Sequence, residues 1–247
     1  MQRLRRALTE LAPRMYAGSL LLRDLRMLDI GSGIAPQETP IPAADRAGWT
    51  PVHPGSRWGG YDQNAWFHAT TQVPDGWLAQ VTSGNSSGDS SDDGSGDGKE
   101  SERDVVLRLI LGLGKDFGWP EGLLYVNGRL QQGINRHHPD VLLRAEDVRG
   151  GSLTFDVRAW SGILPDDHRI ERSEIALLDR PTERLYHLLN AGSDLVAALD
   201  ESDPLLYTLA AALDGAYDRV ELSAAGFYRS VRGAHLLHRH RADGRLP

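Results

Sequence analysis

The sequence predicts a mainly β protein with helices: an antiparallel, jelly-roll-like β-sandwich flanked by N-terminal helices and a C-terminal helical connector. Three observations carry that reading. All six tryptophans, Trp49, Trp58, Trp66, Trp77, Trp119 and Trp160, fall in one stretch, together with the runs that alternate apolar and polar residues. Within it, Leu123-Leu124-Tyr125-Val126 meets Asn127-Gly128 and continues as Arg129-Leu130-Gln131, and Asn-Gly between strands favours the left-handed residues of a type I′ hairpin turn. Beyond Trp160 the apolar spacing changes to that of helices.

Leu4, Ala7, Leu8 and Leu11 recur at helical spacing. After Pro13 a second helical stretch is predicted through Leu20, Leu21, Leu25 and Leu28. The Gly, Pro and Ala-rich segment 31–48 reads as a linker arm, so residues 1–48 form an N-terminal helical part. The sandwich then occupies 49–172. Phe67, Ala69, Thr71 and Val73 alternate with His68, Thr70 and Gln72, a half-buried strand stopped by Pro74. Asp104 to Leu113 gives a second strand, Val141 to Leu143 a short one, and Ser152 to Trp160 a further one with Leu153, Phe155, Val157 and Ala159 on one face. The segment 83–102 is almost pure Ser, Gly and Asp, too poor in apolar groups to offset the entropy of ordering, and is expected to be a disordered acidic loop between strands. Residues 173–247 form the helical connector. Pro181 suits a first helical turn, followed by a stripe of Leu185, Leu188, Leu189, Leu195, Val196 and Leu199. Ser202-Asp203-Pro204 opens a second helix with Leu205, Leu206, Leu209 and Leu213 on its buried face, and Tyr228, Val231, Leu236 and Leu237 suggest a third.

The net charge is −7, but six acids against Lys99 place −5 of it in the segment 83–102 and leave −2 for the rest of the chain. A nearly neutral body argues against a nucleic-acid partner, which needs a concentrated positive field. No apolar run approaches the ~18 residues that cross a bilayer, and Met1 to Arg14 lacks the apolar core and cleavage site of a signal peptide, so a cytoplasmic location without a membrane partner is expected. The absence of cysteine excludes thiol catalysis and zinc knuckles, leaving His, Asp and Glu for any metal.

Those residues do not converge in the sequence. His137-His138 beside Asp140 lacks a third ligand fixed by spacing, and His235, His238, His240 and Asp243 read as a polar helical surface near the chain end. Glu146-Asp147 and Asp166-Asp167 are adjacent acids in turn-like contexts, without the partner across a cleft that glycoside hydrolysis requires. Gly112 to Gly118 lacks phosphate-loop spacing. The aromatic group Trp58, Tyr61 and Trp66 is the candidate carbohydrate-binding set, because an aromatic face packs against the C–H face of a sugar ring. Core packing is the competing reading of the same three residues.

The order Arg57-Trp58-Gly59-Gly60, Ala65-Trp66-Phe67-His68 and Val73-Pro74-Asp75-Gly76-Trp77 resembles the entry to the N-terminal β domain of glycoside hydrolase family 38, the cytosolic and vacuolar type of α-mannosidase. Glu121-Gly122-Leu123-Leu124-Tyr125-Val126-Asn127-Gly128, followed by Gln132-Gly133, resembles a hairpin of the same family. The helices before and after the β region occur in the order of that family, so the resemblance covers nearly the whole chain.

The resemblance implies a β-sandwich and helical connector leading, in the family, into a catalytic domain. That domain opens on Gly-His-x-His-Ile-Asp, binds zinc and supplies an aspartate nucleophile for retaining hydrolysis of α-mannosides. This chain reaches Pro247 about where that motif is expected and contains no His-x-His-x-Asp. In His238-Arg239-His240-Arg241-Ala242-Asp243 the acid comes one residue late. No catalytic or metal residue is carried over, and zinc is expected only in the catalytic domain. The implied role is structural and oligomerisation support, with the α-mannosidase catalytic domain in cis or as a separate chain, a second copy of the chain, and mannose-containing glycans as partners. The competing readings are a stand-alone carbohydrate-binding sandwich and a structural fragment without activity.

Overall fold

The structure, a computed structural model, describes residues 2–33, 40–82, 102–114, 118–165, 167–223 and 226–231, with Gln2 and Thr82 as backbone alone. The acidic segment expected to be a disordered loop lies, up to residue 101, outside the described residues, as does the His235 to Asp243 cluster. Two compact units emerge, one of Gly18–Leu177 and one of Met1–Ala17 with Leu178–Pro247.

In chain order the elements are α1 (Gln2–Leu11), a 3-10 turn (Ala12–Met15), β1 (Tyr16–Leu21), β2 (Arg26–Ser32), β3 (Thr50–Pro51), β4 (Arg57–Gly59), β5 (Gln63–Gln72) and α2 (Asp75–Thr82). They continue as β6 (Arg103–Ile110), β7 (Glu121–Val126), β8 (Arg129–Ile134), β9 (Asp140–Leu142), α3 (Ala145–Arg149), β10 (Ser152–Trp160), β11 (Asp167–Arg169) and β12 (Arg172–Asp179), and close with α4 (Arg180–Ala198) and α5 (Pro204–Tyr217). A last helical stretch covers 227–231.

The strands build a β-sandwich from a four-stranded sheet ordered β1-β12-β6-β9 and a six-stranded sheet ordered β3-β2-β5-β10-β7-β8, with β11 and β4 forming a small pair beside them. Every neighbouring pair in the six-stranded sheet is antiparallel. Val105, Leu107, Leu109, Val141, Ile175 and Leu177 of the smaller sheet are buried, as are Phe67, Ala69, Leu124, Val126, Phe155 and Val157 of the larger. The expected hairpin forms between β7 and β8. Asn127 and Gly128 both take positive φ, 50° and 75°, the conformation its type I′ turn demands.

Two local expectations fail for tertiary reasons. The stretch Leu20 to Leu28 is not a helix; it supplies β1 and β2. Leu22, Leu25 and Leu28 are buried all the same, and Gly18 lies so close to the Trp77 indole that a Cβ there would stand 3.1 Å from it. The Asp24 carboxylate between these strands accepts the Thr70 N–H at 3.0 Å and the Thr70 hydroxyl at 2.5 Å, fixing the turn on β5. Sheet pairing thus overrides a spacing that four leucines meet by coincidence.

The second case is β5 itself, which is buried on both faces from Asn64 to Ala69 and not on one. Its neighbour β10 runs beside it with Asp156 opposite His68 and Arg158 opposite Trp66. The outer face is covered where the chain before β3 returns over it. Trp49 stands 5.7 Å from the His68 ring, and its indole N–H donates to the Ala43 carbonyl at 3.1 Å.

The helical unit has its own core of Leu4, Leu11, Leu185, Leu189, Val196, Leu213, Val220, Phe227 and Val231. Asp179 caps α4 by accepting from the Thr182 N–H, with Pro181 in the first turn, and Asp203 caps α5. Of the expected stripes, Leu185, Leu189, Val196 and Leu213 are buried, whereas Leu188, Leu195 and Leu205 are exposed, as is Tyr207 beside them in sequence. Among the described residues no helix is long and apolar enough to cross a membrane.

Candidate functional site

The three aromatic residues expected to bind carbohydrate do not form a common surface. Trp58 is 4% exposed: its indole N–H donates to the Leu111 carbonyl at 2.7 Å and its ring meets the edge of Phe67 at 5.0 Å. Trp66 is fully buried beside Tyr125, ring centroids 5.8 Å apart. Neither offers a ring face on which a sugar could stack. Their burial has the ordinary cause that large aromatic surface is removed from water. Tyr61 alone is open, 64% exposed, on the turn where Asp62 takes φ 52°.

The structure instead gathers a different set at one end of the six-stranded sheet. Antiparallel register aligns Asn64 of β5, Trp160 of β10 and Glu121 of β7 in one row across three strands. Two residues along each strand, Trp66, Arg158 and Leu123 make the next row, which Gly133 of β8 extends. Alternation places both rows on the same face of the sheet. Except for the buried Trp66, these residues line, together with the loop holding Asn135 and His138, a groove of about 480 Å³, inside the range of about 300–1,000 Å³ usual for small-molecule sites.

The groove owes its depth to a missing side chain. Gly133 lies on the groove face of β8, and a Cβ built there meets only the Gly122 carbonyl oxygen, at 3.9 Å, within 4 Å. Gly122 has the opposite reason to be glycine, since a Cβ would fall 2.8 Å from a Val157 methyl group and 3.3 Å from Ile134. The polar rim is held in place by its neighbours. The Trp160 indole N–H donates to the Asp62 carboxylate at 2.7 Å. The Asn64 amide donates to the Gly33 carbonyl at 2.7 Å. The Asn135 side-chain oxygen accepts the backbone N–H groups of His137 and His138 at 2.9 and 3.1 Å, which fixes the loop that presents His138. The lining itself carries the Glu121 carboxylate and the Arg158 guanidinium.

The adjacent histidines diverge, as neighbours on a loop must: His138 lines the groove, while His137 packs edge-on against Trp119 at 5.4 Å. Asp140 pairs with Arg108 at 3.3 Å. Asp147 accepts from Arg129 at 2.7 Å and from the Asn127 amide at 2.9 Å, so it secures the hairpin. Among the described residues no three His, Asp or Glu side chains gather where they could hold a metal ion.

Sequence reasoning missed a buried pair on the same sheet face. His68 Nδ1 lies 2.7 Å from Asp156 Oδ1. Among the described residues, the other imidazole nitrogen of His68 and the Trp66 indole N–H have no hydrogen-bond partner. Alternation alone puts His68 and Asp156 on the polar faces of β5 and β10, and only the cover over that face buries them.

No protein-family model matches the chain, and no curated protein matches it. Among solved structures it is similar to Bacteroides uniformis beta-glucuronidase, with 15% identity and a TM-score of 0.37. It is also similar to beta-glucuronidase 2 of that organism covalently bound to cyclophellitol-6-carboxylate aziridine, with 15% identity and a TM-score of 0.38. Each match covers 65% of this chain and 18% of the other, so the chain spans less than a fifth of the length of these neighbours. A likeness this slight carries no argument about activity.

Proposed function

We propose that the chain is the N-terminal, non-catalytic portion of a zinc-dependent α-mannosidase and serves as its structural and oligomerisation support, in the cytoplasm. The observation that carries this reading is that the residues of the family resemblance are ones the sandwich depends on, in the same order along the chain. Gly59, which ends β4, and Gly60, which follows it, take φ 98° and 130°. Trp66 and Phe67 fill the middle of β5, and Asn127-Gly128 makes the β7–β8 turn. A pattern tied to such demanding positions reports a shared scaffold better than scattered identities do. Scaffold residues also explain why the pattern holds no acid–base pair.

In this role the complete enzyme hydrolyses terminal α-mannosides during oligosaccharide breakdown, with the catalytic domain supplying zinc and nucleophile. The exposed Leu188, Leu195, Leu205 and Tyr207 of the helical unit are the apolar surface that such a domain or a second copy would cover. The test is an assay of the purified chain on an aryl α-mannoside with zinc added, with bound metal measured in the same sample. The expected result is neither turnover nor stoichiometric zinc. Zinc-dependent turnover by this chain alone would overturn the reading.

A further inference from the structure

We infer that the groove at the end of the six-stranded sheet is a binding site for a neutral saccharide, with Trp160 as its stacking platform and Gly133 as its floor. This goes beyond the α-mannosidase reading and does not depend on it, since a support domain with no ligand of its own would fail only the test below.

Three features point to this ligand. First, the site is preorganised: Trp160 is anchored through its indole nitrogen to Asp62, Asn64 is tied to the Gly33 carbonyl, and the His138 loop is closed on Asn135. Groups already held in place lose little entropy on binding. Second, the lining pairs apolar surface with polar groups, in the combination a pyranose requires. The indole of Trp160 and the side chain of Leu123 suit the C–H face of the ring, while the Glu121 carboxylate, the Arg158 guanidinium and the His138 imidazole suit its hydroxyls. Third, two carboxylates, Glu121 in the lining and Asp62 behind Trp160, stand against the one guanidinium of Arg158, and this excess of negative charge favours a neutral sugar over a uronic acid.

The floor makes the proposal testable without disturbing the fold. Gly133 is in a strand, has no positive φ, and its Cβ direction is open. Gly133→Leu therefore fills the groove and carries no backbone strain. Binding of α-linked mannotriose, α-linked glucotriose and β-linked galactotriose to the whole chain would be followed by calorimetry and saturation-transfer NMR. The parent chain is expected to bind at least one of them. Gly133→Leu and Trp160→Ala are each expected to weaken that binding about tenfold or more, with the Gly133→Leu chain melting at the parent temperature. Tyr61→Ala, on the exposed turn outside the groove, is expected to leave binding unchanged. The inference is overturned if the parent binds none of the three sugars, or if Gly133→Leu folds and binds as the parent does. It is equally overturned if Tyr61→Ala alone removes binding, which would move the site to the turn.

Discussion

His68 and Asp156 sit opposite each other on β5 and β10, imidazole Nδ1 2.7 Å from carboxylate Oδ1, with only 5% and 4% of their surfaces exposed. A polar pair buried inside a sheet is held by its mutual hydrogen bond, and removing one member leaves the other buried without a partner. Asp156→Ala should cost about 1–3 kcal/mol in urea unfolding. Asp156→Asn, which keeps the shape and a carbonyl acceptor, should cost less. An Asp156→Ala chain as stable as the parent contradicts the pairing.

The β7–β8 turn separates backbone from side-chain effects. At Gly128, φ is 75° and a Cβ would meet nothing within 4 Å. Gly128→Ala should therefore cost only the left-handed conformational penalty, about 1–2 kcal/mol. Asn127→Ala should cost more. It also loses the bond from the Asn127 amide to Asp147 and the one its oxygen accepts from the Thr154 N–H, both 2.9 Å. Equal losses in chemical denaturation would contradict this account of the turn.

How much of this was legible in the sequence depends on range. The hairpin was readable because Asn127-Gly128 acts through its own dihedrals, and α4 because Pro181 and the leucine spacing are local signals. The strands β1 and β2 were not, because Leu20, Leu21, Leu25 and Leu28 satisfy a helical period while their partners, β12 and β5, lie far along the chain. The groove was hidden for the same reason. Asn64, Glu121, Gly133 and Trp160 meet only once four strands are in register. Gly133 inside a strand pattern was the available sign, since an interior strand glycine marks a bulge or a close approach. Trp58 and Trp66 drew the binding reading by residue type alone, and exposure is what decides between platform and core.

In the helical unit, Gly192 of α4 lies against Leu213 of α5, where a Cβ would stand 2.6 Å from a Leu213 methyl group. Gly192→Ala alone should destabilise the unit by overpacking, although alanine is favoured in a helix by about 1 kcal/mol. In a Leu213→Ala background the same substitution should become stabilising. A double-mutant cycle without coupling would show that the helices do not meet through this glycine.

The same unit carries a pH-sensitive contact. Tyr217 donates to Glu10 at 2.7 Å, and Arg6 donates to the same carboxylate at 2.9 Å. Burial, and then the bond to Glu10, push the Tyr217 phenol from 10.0 up to about 12. Its stabilising contribution is therefore complete below about pH 10 and lost as pH rises towards about 12. Hydrogen bonds from Arg6 and then Tyr217 hold Glu10 below its usual value of 4.5, so its contribution is present above 4.5 and lost as pH falls below it. Thermal melts across pH should show both slopes. Tyr217→Phe should remove the alkaline one and Glu10→Gln the acid one; unchanged slopes in these variants contradict the contact.

The central proposal, that this chain serves as the support portion of an α-mannosidase, is tested most directly by complementation. The purified chain would be mixed with a separately produced α-mannosidase catalytic region that opens on the family zinc motif, and aryl α-mannoside turnover would be followed as the chain is titrated. The account predicts a saturable rise in turnover, with a complex of defined stoichiometry by analytical ultracentrifugation. Turnover that stays flat at every ratio, with the two chains sedimenting separately, would contradict it.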